Sequence, residues 1–190
     1  MNIFYLHKDP KICAEQHLDK HCSKMLVEYA QLMSTAHRII DGTEYEGRTK
    51  TNRRIKRWSH PTKDNLLYIA CHVNHPSAVW CRENAYNYNW LYTMWSHLHD
   101  QFVLRYNKTH LSYTLLNDAL RNPPRNIALN KPFTQPTQAM PDDVKHKDSI
   151  TAYRNYYIQY KHSFAKWKLG IIPEWYVEGV GEAIQLIKQE

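Results

Sequence analysis

Between residues 17 and 35, the polar residues of an otherwise apolar segment recur at steps of four and three: His17, His21, Lys24, Glu28, Gln31 and Thr35. At about 100° per residue, that spacing places all six on one strip of a helix. Leu18, Cys22, Met25, Leu26, Val27, Tyr29, Ala30, Leu32, Met33 and Ala36 cover the rest of its surface. A helix that is apolar on most sides must be buried on most sides, so the rest of the chain has to wrap around this one. Val27 and Leu32 flank the strip and leave a polar band narrower than an ordinary surface helix presents. The band is therefore a candidate for chemistry, with a solvated polar face as the plainer alternative.

The surrounding sequence predicts a mainly α single domain. Asp9 followed by Pro10 reads as an N-cap and a first helical turn, opening a helix over 10–40 that Asp41-Gly42 ends. Residues 42–63 are polar and basic and read as a loop. Asn74-His75-Pro76-Ser77 opens a second long helix over 76–106. A short helix is expected over Leu111–Leu120, then a proline-rich irregular stretch over 122–143. Asp148 can cap a third helix over 149–167 with a strongly aromatic face. A tail over 170–190 includes a short helical stretch, 181–188. The expected architecture is a compact bundle of three principal helices with long irregular connections.

The formal net charge is +7 and the pI about 9.2, a balance that favours an acidic partner, nucleic acid being the usual one. Six cations crowd Arg48 to Arg57. Arg53, Arg54, Lys56 and Arg57 are candidate phosphate contacts, with Trp58 beside them to stack on or wedge next to a base. Arg121 and Arg125 flank the proline-rich stretch and extend the same expected surface. A solvated loop and a core-packed tryptophan would look the same in sequence. The four cysteines form no CxxC pair and read as reduced thiols. No basic segment leads into an apolar run at the N-terminus, and no stretch is long enough to span a bilayer. A cytoplasmic protein without membrane association is expected, in the host cytoplasm if it is viral.

Within the strip, a desolvated Lys24 could act as a nucleophile or base, and Glu28 as a general acid/base. His17 and His21 have a spacing that can bind zinc. They lack a third ligand and the glutamate of metalloproteases, so hydrogen-bonding roles are expected and no metal. The five glycines form no phosphate-cradling loop, so no nucleotide cofactor is expected. A free α-amine is a further candidate nucleophile. Such amines titrate near pH ~8, which leaves a fraction unprotonated at neutral pH. The short run before Pro10 could return Met1 to the strip.

Three blocks resemble the pyrimidine-dimer DNA glycosylase family, of the phage endonuclease V type. Ala14-Glu15-Gln16-His17-Leu18 runs into Asp19, Lys24, Glu28 and Gln31, which is similar to a D-x-x-x-x-K-x-x-x-E-x-x-Q helix of the wider family. Asn74-His75-Pro76-Ser77-Ala78-Val79-Trp80, continuing to Arg105-Tyr106, resembles an NHPAxxxW helix ending in arginine. Pro173-Glu174-Trp175-Tyr176 resembles a terminal P-x-W-Y. The resemblance implies a compact, mostly α fold with the N-terminus threaded between helices. It also implies base excision with β-elimination on double-stranded DNA, by a monomer that uses its α-amine and a glutamate of the first helix.

Two departures bear on mechanism. The family's best-known members present threonine after removal of the initiator methionine. Here Asn2 is too bulky for efficient removal, which leaves the amine on Met1. Aligned on Ala14–Leu18, the family's glutamate falls on Lys24, and Glu28 is the nearest carboxylate on that face. The leading expectation is a glycosylase/lyase with Glu28 as acid/base, Lys24 or Met1 as imine-forming amine and His21 orienting or shuttling protons. A non-catalytic DNA-binding protein and a DNA base-modifying transferase are the alternatives.

Overall fold

The computed structural model describes residues 1–169 and 171–187, the last four of these as backbone only. The chain is mainly helical: α1 (Pro10–Glu15), α2 (Asp19–Asp41), α3 (Pro76–Glu83), α4 (Ala85–Tyr106), α5 (Leu111–Leu120), α6 (Ser149–Tyr160) and α7 (Glu174–Ile187). One antiparallel hairpin, β1 (Thr43–Arg48) and β2 (Arg54–Ser59), follows α2.

α2 is the axis of the fold. Met25, Leu26, Tyr29, Leu32 and Met33 are buried on it, and the Trp95 indole of α4 donates to the Leu26 carbonyl at 2.8 Å. Residues 1–6 are threaded into this core as an extended segment. Ile3 and Leu6 have no exposed surface, and each such side chain contributes about 1.5–3 kcal/mol by leaving water. The Phe4 ring stacks on His21 at 4.0 Å and meets Tyr153 and Tyr157 of α6 edge-on. The segment's polar backbone groups find partners. Phe4 N–H donates to the Tyr29 hydroxyl at 3.2 Å, and Leu6 C=O accepts from Arg154 at 3.0 Å. The Cys13 thiol accepts from Leu6 N–H and donates to Phe4 C=O. Burial pushes that thiol up to about 12, so it stays protonated as a packing and hydrogen-bonding group.

The helix expected over 10–40 is broken at residues 16–18, where Leu18 is extended. The freed carbonyls have tertiary partners. Arg105 donates to Glu15 C=O at 3.0 Å and His17 C=O at 2.7 Å, and the Trp167 indole donates to Gln16 C=O at 3.1 Å. His17 therefore lies in the break, and the strip runs on one helix only from His21. The helix expected over 76–106 is also two. At Asn84 the side-chain oxygen accepts from Asn87 N–H at 2.9 Å and starts α4 anew, the local competition that makes asparagine a cap rather than an interior residue. The third helix stops at Tyr160 instead of 167 and gives way to a 3₁₀ turn, His162–Phe164. α7 begins at Glu174, earlier than the expected 181, and the expected end at Lys188 lies outside the described residues.

Residues 42–63 are corrected from a loop to a hairpin and its root. Across the strands Lys56 pairs with Glu44 at 2.9 Å and Arg54 with Glu46 at 3.5 Å, and Asn52 takes a left-handed conformation in the turn. The high charge of this segment masked its strand period. At the root, a Cβ on Gly42 would stand 2.3 Å from Arg38 O and 2.6 Å from Ser59 O, so only glycine lets the strands leave α2 this closely.

Candidate active site

Threading brings the N-terminus to the strip. The Met1 amine nitrogen stands 3.7 Å from Glu28 Oε2, and Lys24 Nζ stands 3.1 Å from Glu28 Oε1. Glu28 is thus a carboxylate held between two amines. It is 17% exposed, within reach of a docked ligand, whereas Lys24 is 63% exposed and open to solvent.

The segment 66–73 closes the other side. Thr35, the last residue of the strip, ties it down: its hydroxyl donates to Cys71 C=O at 3.4 Å and accepts from Cys71 N–H at 3.2 Å. His72 takes a left-handed φ of 48°, and the turn it makes carries the chain to His75, the N-cap of α3. His75 Nδ1 accepts from Ser77 N–H at 3.2 Å, which leaves the ring proton on Nε2. Burial, then the Met1 amine and His72, hold His75 below the usual histidine range, while Glu28 opposes. Burial raises the Cys71 thiol, with Glu28 adding to the rise and the Thr35 hydrogen bond and the Met1 amine opposing it. Cys71 and His75 thus belong to the electrostatic surroundings of the amine–carboxylate pair, with His72 acting on His75. Sequence reasoning singled out only His75 of these three; the left-handed turn that swings the segment inward leaves no pattern in sequence.

The strip's two histidines point elsewhere. His17 Nδ1 lies 2.8 Å from Cys13 O, and its Nε2 lies 2.9 Å from the Tyr29 hydroxyl. Burial pushes His17 down to about 4. His21 is hydrogen bonded to the Tyr157 hydroxyl at 2.7 Å under the Phe4 ring, and burial first, then His17 and the nearby lysines, push it down to about 2. Both stay neutral at physiological pH.

A second cluster gathers at the hairpin root. His37 Nδ1 or Nε2, an Asp41 oxygen and a His60 ring nitrogen lie within 4.8 Å of one another, a spacing a metal could bridge. The hydrogen bonds argue against His60 as a ligand. Its Nδ1 accepts from Thr62 N–H at 3.2 Å and Lys63 N–H at 3.0 Å, which puts the proton on Nε2, a buried atom without a hydrogen-bond partner, and leaves neither nitrogen a free lone pair for a metal. Asp41 already accepts from Arg125 N–H, Asn126 N–H and the Asn126 amide. The cluster reads as the pin between α2, the hairpin and the 121–126 loop.

The basic residues singled out by sequence fall on and around the hairpin. Arg53 is in its turn, Arg54 and Lys56 are paired on β2, and Arg57 and Trp58 are half-buried toward the root. Arg121 pairs with Asp118 at 3.1 Å. Arg125 is brought to the root through its own N–H on Asp41. A second cationic surface was missed. Lys20, Lys24, Lys108 and Lys168 line an open groove with Phe102 and Tyr106, directly beside the Lys24–Glu28 pair. Its four lysines come from three separate stretches of sequence, so no charge run marked it. No helix among the described residues is long and apolar enough to cross a membrane.

No family model, curated protein or solved structure matches this chain.

Proposed function

We propose that the protein is a DNA glycosylase and abasic-site lyase that uses an amine beside Glu28 as its nucleophile. The observation that carries this reading is the 3.7 Å approach of the Met1 amine to Glu28, at the end of an N-terminal segment buried from Ile3 to Leu6. Residues 1–6 are locked by Phe4, Tyr29 and Cys13, so the amine's position is fixed rather than frayed. Of the three blocks that resemble the pyrimidine-dimer DNA glycosylases, the first supplies the strip and the second the His75-Pro76 helix start, and these two meet around this amine.

The chemistry follows from the two groups. Glu28 takes a proton from the ammonium, and the amine nitrogen attacks C1′ of the target deoxyribose. The C1′–base bond breaks and the base leaves with the proton that Glu28 took. Glu28 then passes a proton from the attached nitrogen to O4′ as the C1′–O4′ bond opens, and a protonated imine joins the protein to the ring-opened sugar. Glu28, again a carboxylate, removes a C2′ proton. The 3′ phosphate leaves by β-elimination, and water releases the amine. The target nucleotide has to leave the stack for C1′ to be reached, and the lysine groove beside Lys24 offers its phosphates a cationic path. Lys24 neutralises Glu28 from the solvent side and is the second amine in reach. His21 holds Phe4, and with it the amine, in place and moves no proton.

The test is borohydride reduction of the protein mixed with duplex DNA carrying one abasic site. A covalent adduct lost in Glu28→Gln supports the reading, and no adduct in the wild-type protein overturns it. The mechanism requires Met1 to be the mature N-terminus, which intact mass reports in the same experiment.

A further inference from the structure

The β1–β2 hairpin is an exposed ribbon whose charges are arranged unequally. Six cations stand against two carboxylates between Thr43 and Ser59. The register pairs Glu44 with Trp58, Glu46 with Lys56 and Arg48 with Arg54 on one face. Tyr45 with Arg57 and Gly47 with Ile55 share the other. Both carboxylates lie on the first face and are engaged by Lys56 and Arg54. The second face carries Arg57 and no acid. The outer end carries Arg48, Lys50 and Arg53, none of which has a carboxylate within 4.0 Å among the described residues.

Two features do not serve folding. Arg48 and Arg54 are directly opposite each other, and like charges in that position destabilise a ladder. On the acid-free face, Tyr45 is 51% and Ile55 38% exposed. Gly47 opens a place for the Arg57 stem, since a Cβ there would stand 2.7 Å from Arg57 Cγ. An anionic partner relieves the first feature and covers the second.

The root is rigid. Arg38 of α2 donates to Trp58 C=O at 2.8 Å, and the same guanidinium holds Tyr68 C=O at 2.7 Å and Leu67 C=O at 3.0 Å. The helix that carries Glu28 therefore also aims the ribbon, whose root lies about 20 Å further along α2 at ~1.5 Å per residue. Two paired strands of six residues make a ribbon about 20 Å long. The major groove of B-form DNA, about 12 Å wide, admits a two-stranded ribbon, whereas the deep, narrow major groove of A-form RNA does not.

We propose that the β1–β2 hairpin lies in the major groove of B-form DNA beside the reactive nucleotide. Arg48, Lys50 and Arg53 contact backbone phosphates, and the Tyr45–Arg57 face turns to the base edges. The carboxylate face is turned away from the base edges, with Arg48 at its outer end reaching a flanking phosphate. Arg57 on the Tyr45 face can donate in bidentate fashion to a guanine edge. This placement rests on the DNA-lyase reading for its substrate, and its test separates the two.

The experiment measures duplex affinity against salt for the full chain and for the triple variant Arg48→Gln, Lys50→Gln, Arg53→Gln. Circular dichroism confirms that both are folded. A single-stranded oligonucleotide of the same sequence is the comparison. Each lost phosphate contact lowers the slope of log affinity on log salt by about 0.9, so the variant's duplex slope falls by about 2.7. Single-strand binding changes little. Glu44→Gln with Glu46→Gln is the second variant, and it tightens duplex binding because it frees Lys56 and Arg54. A wild-type duplex slope in the triple variant overturns the proposal. Borohydride capture of a single-stranded abasic oligonucleotide is read in parallel. Capture by the wild type with an unchanged slope removes the ribbon and leaves the lyase, and a reduced slope without capture does the reverse.

Discussion

His17 Nε2 lies 2.9 Å from the Tyr29 hydroxyl, and that hydroxyl also accepts the N–H of Phe4 at 3.2 Å. With His17 Nδ1–H donating to Cys13 C=O, the chain of donors closes only if Tyr29 donates to a neutral imidazole. The N-terminal segment is thus held by a histidine that has to stay uncharged. The amine at its end inherits that requirement.

Acid should therefore loosen the protein well before its carboxylates titrate. Folding holds His17 at about 4, His37 at about 3 and His21 at about 2, against 6.5 when unfolded. The unfolded chain takes up these protons as pH falls through 6.5 and the folded chain does not. Stability is therefore fully present above that value and is lost below it, by up to about 1.4 kcal/mol per pH unit per histidine. Urea midpoints should fall steadily from pH 7 to pH 5, and a flat profile would show that these rings are not buried neutral.

Glu28→Gln should separate chemistry from folding. The carboxylate is partly exposed and sits beside two amines, so its removal should shift the melting midpoint little. Loss of acid–base catalysis should slow strand cleavage at an abasic site by roughly 10²–10⁴-fold. Lys24→Ala should leave borohydride capture intact, because this mechanism runs through the Met1 amine and Lys24 only pairs with Glu28 from the solvent side. Single-turnover cleavage and thermal melts on the same preparations check both.

Arg38→Ala should be severely destabilising. Its side chain is buried and serves carbonyls of residues 58, 64, 67 and 68 together with the Asp64 carboxylate. Removal strands the backbone acceptors and releases the hairpin root, at a cost of about 1–3 kcal/mol for each buried carbonyl left without a partner. Arg38→Lys, with one ammonium in place of a planar fork, should recover less than half of that in denaturant titrations.

Asn84→Ala should cost about 1 kcal/mol or more, because it removes the cap of α4 and the tie to Pro132 C=O. Asn84→Ser keeps a cap acceptor without burying a charge and should recover part of the loss. Equal melting midpoints for the two variants would show that the break between α3 and α4 does not depend on the cap.

The helical class, the threading of the N-terminus and the meeting of Met1 with the strip were accessible from the strip's period and the resemblance of its motifs. The break at residues 16–18 was not, because Arg105 and Trp167, which stabilise it, are distant in sequence; the break at Asn84 rests on a local cap to Asn87 N–H that the continuous apolar pattern on either side of it hid. The hairpin was hidden for a different reason: its alternation is between two kinds of charge and not between apolar and polar residues. Lys24 and Glu28 could be paired from their spacing alone. Cys71 could not be placed beside them, since the left-handed turn at His72 and the Thr35 hydrogen bonds bring it there.

The most direct measurement is peptide mapping of the borohydride-reduced adduct with abasic duplex DNA. The account predicts a deoxyribose remnant on the α-amine of the peptide that begins at Met1, and its loss when a Gly-Ser extension displaces that amine. A remnant on Lys24, or no adduct from a folded protein with a free Met1 amine, would contradict it.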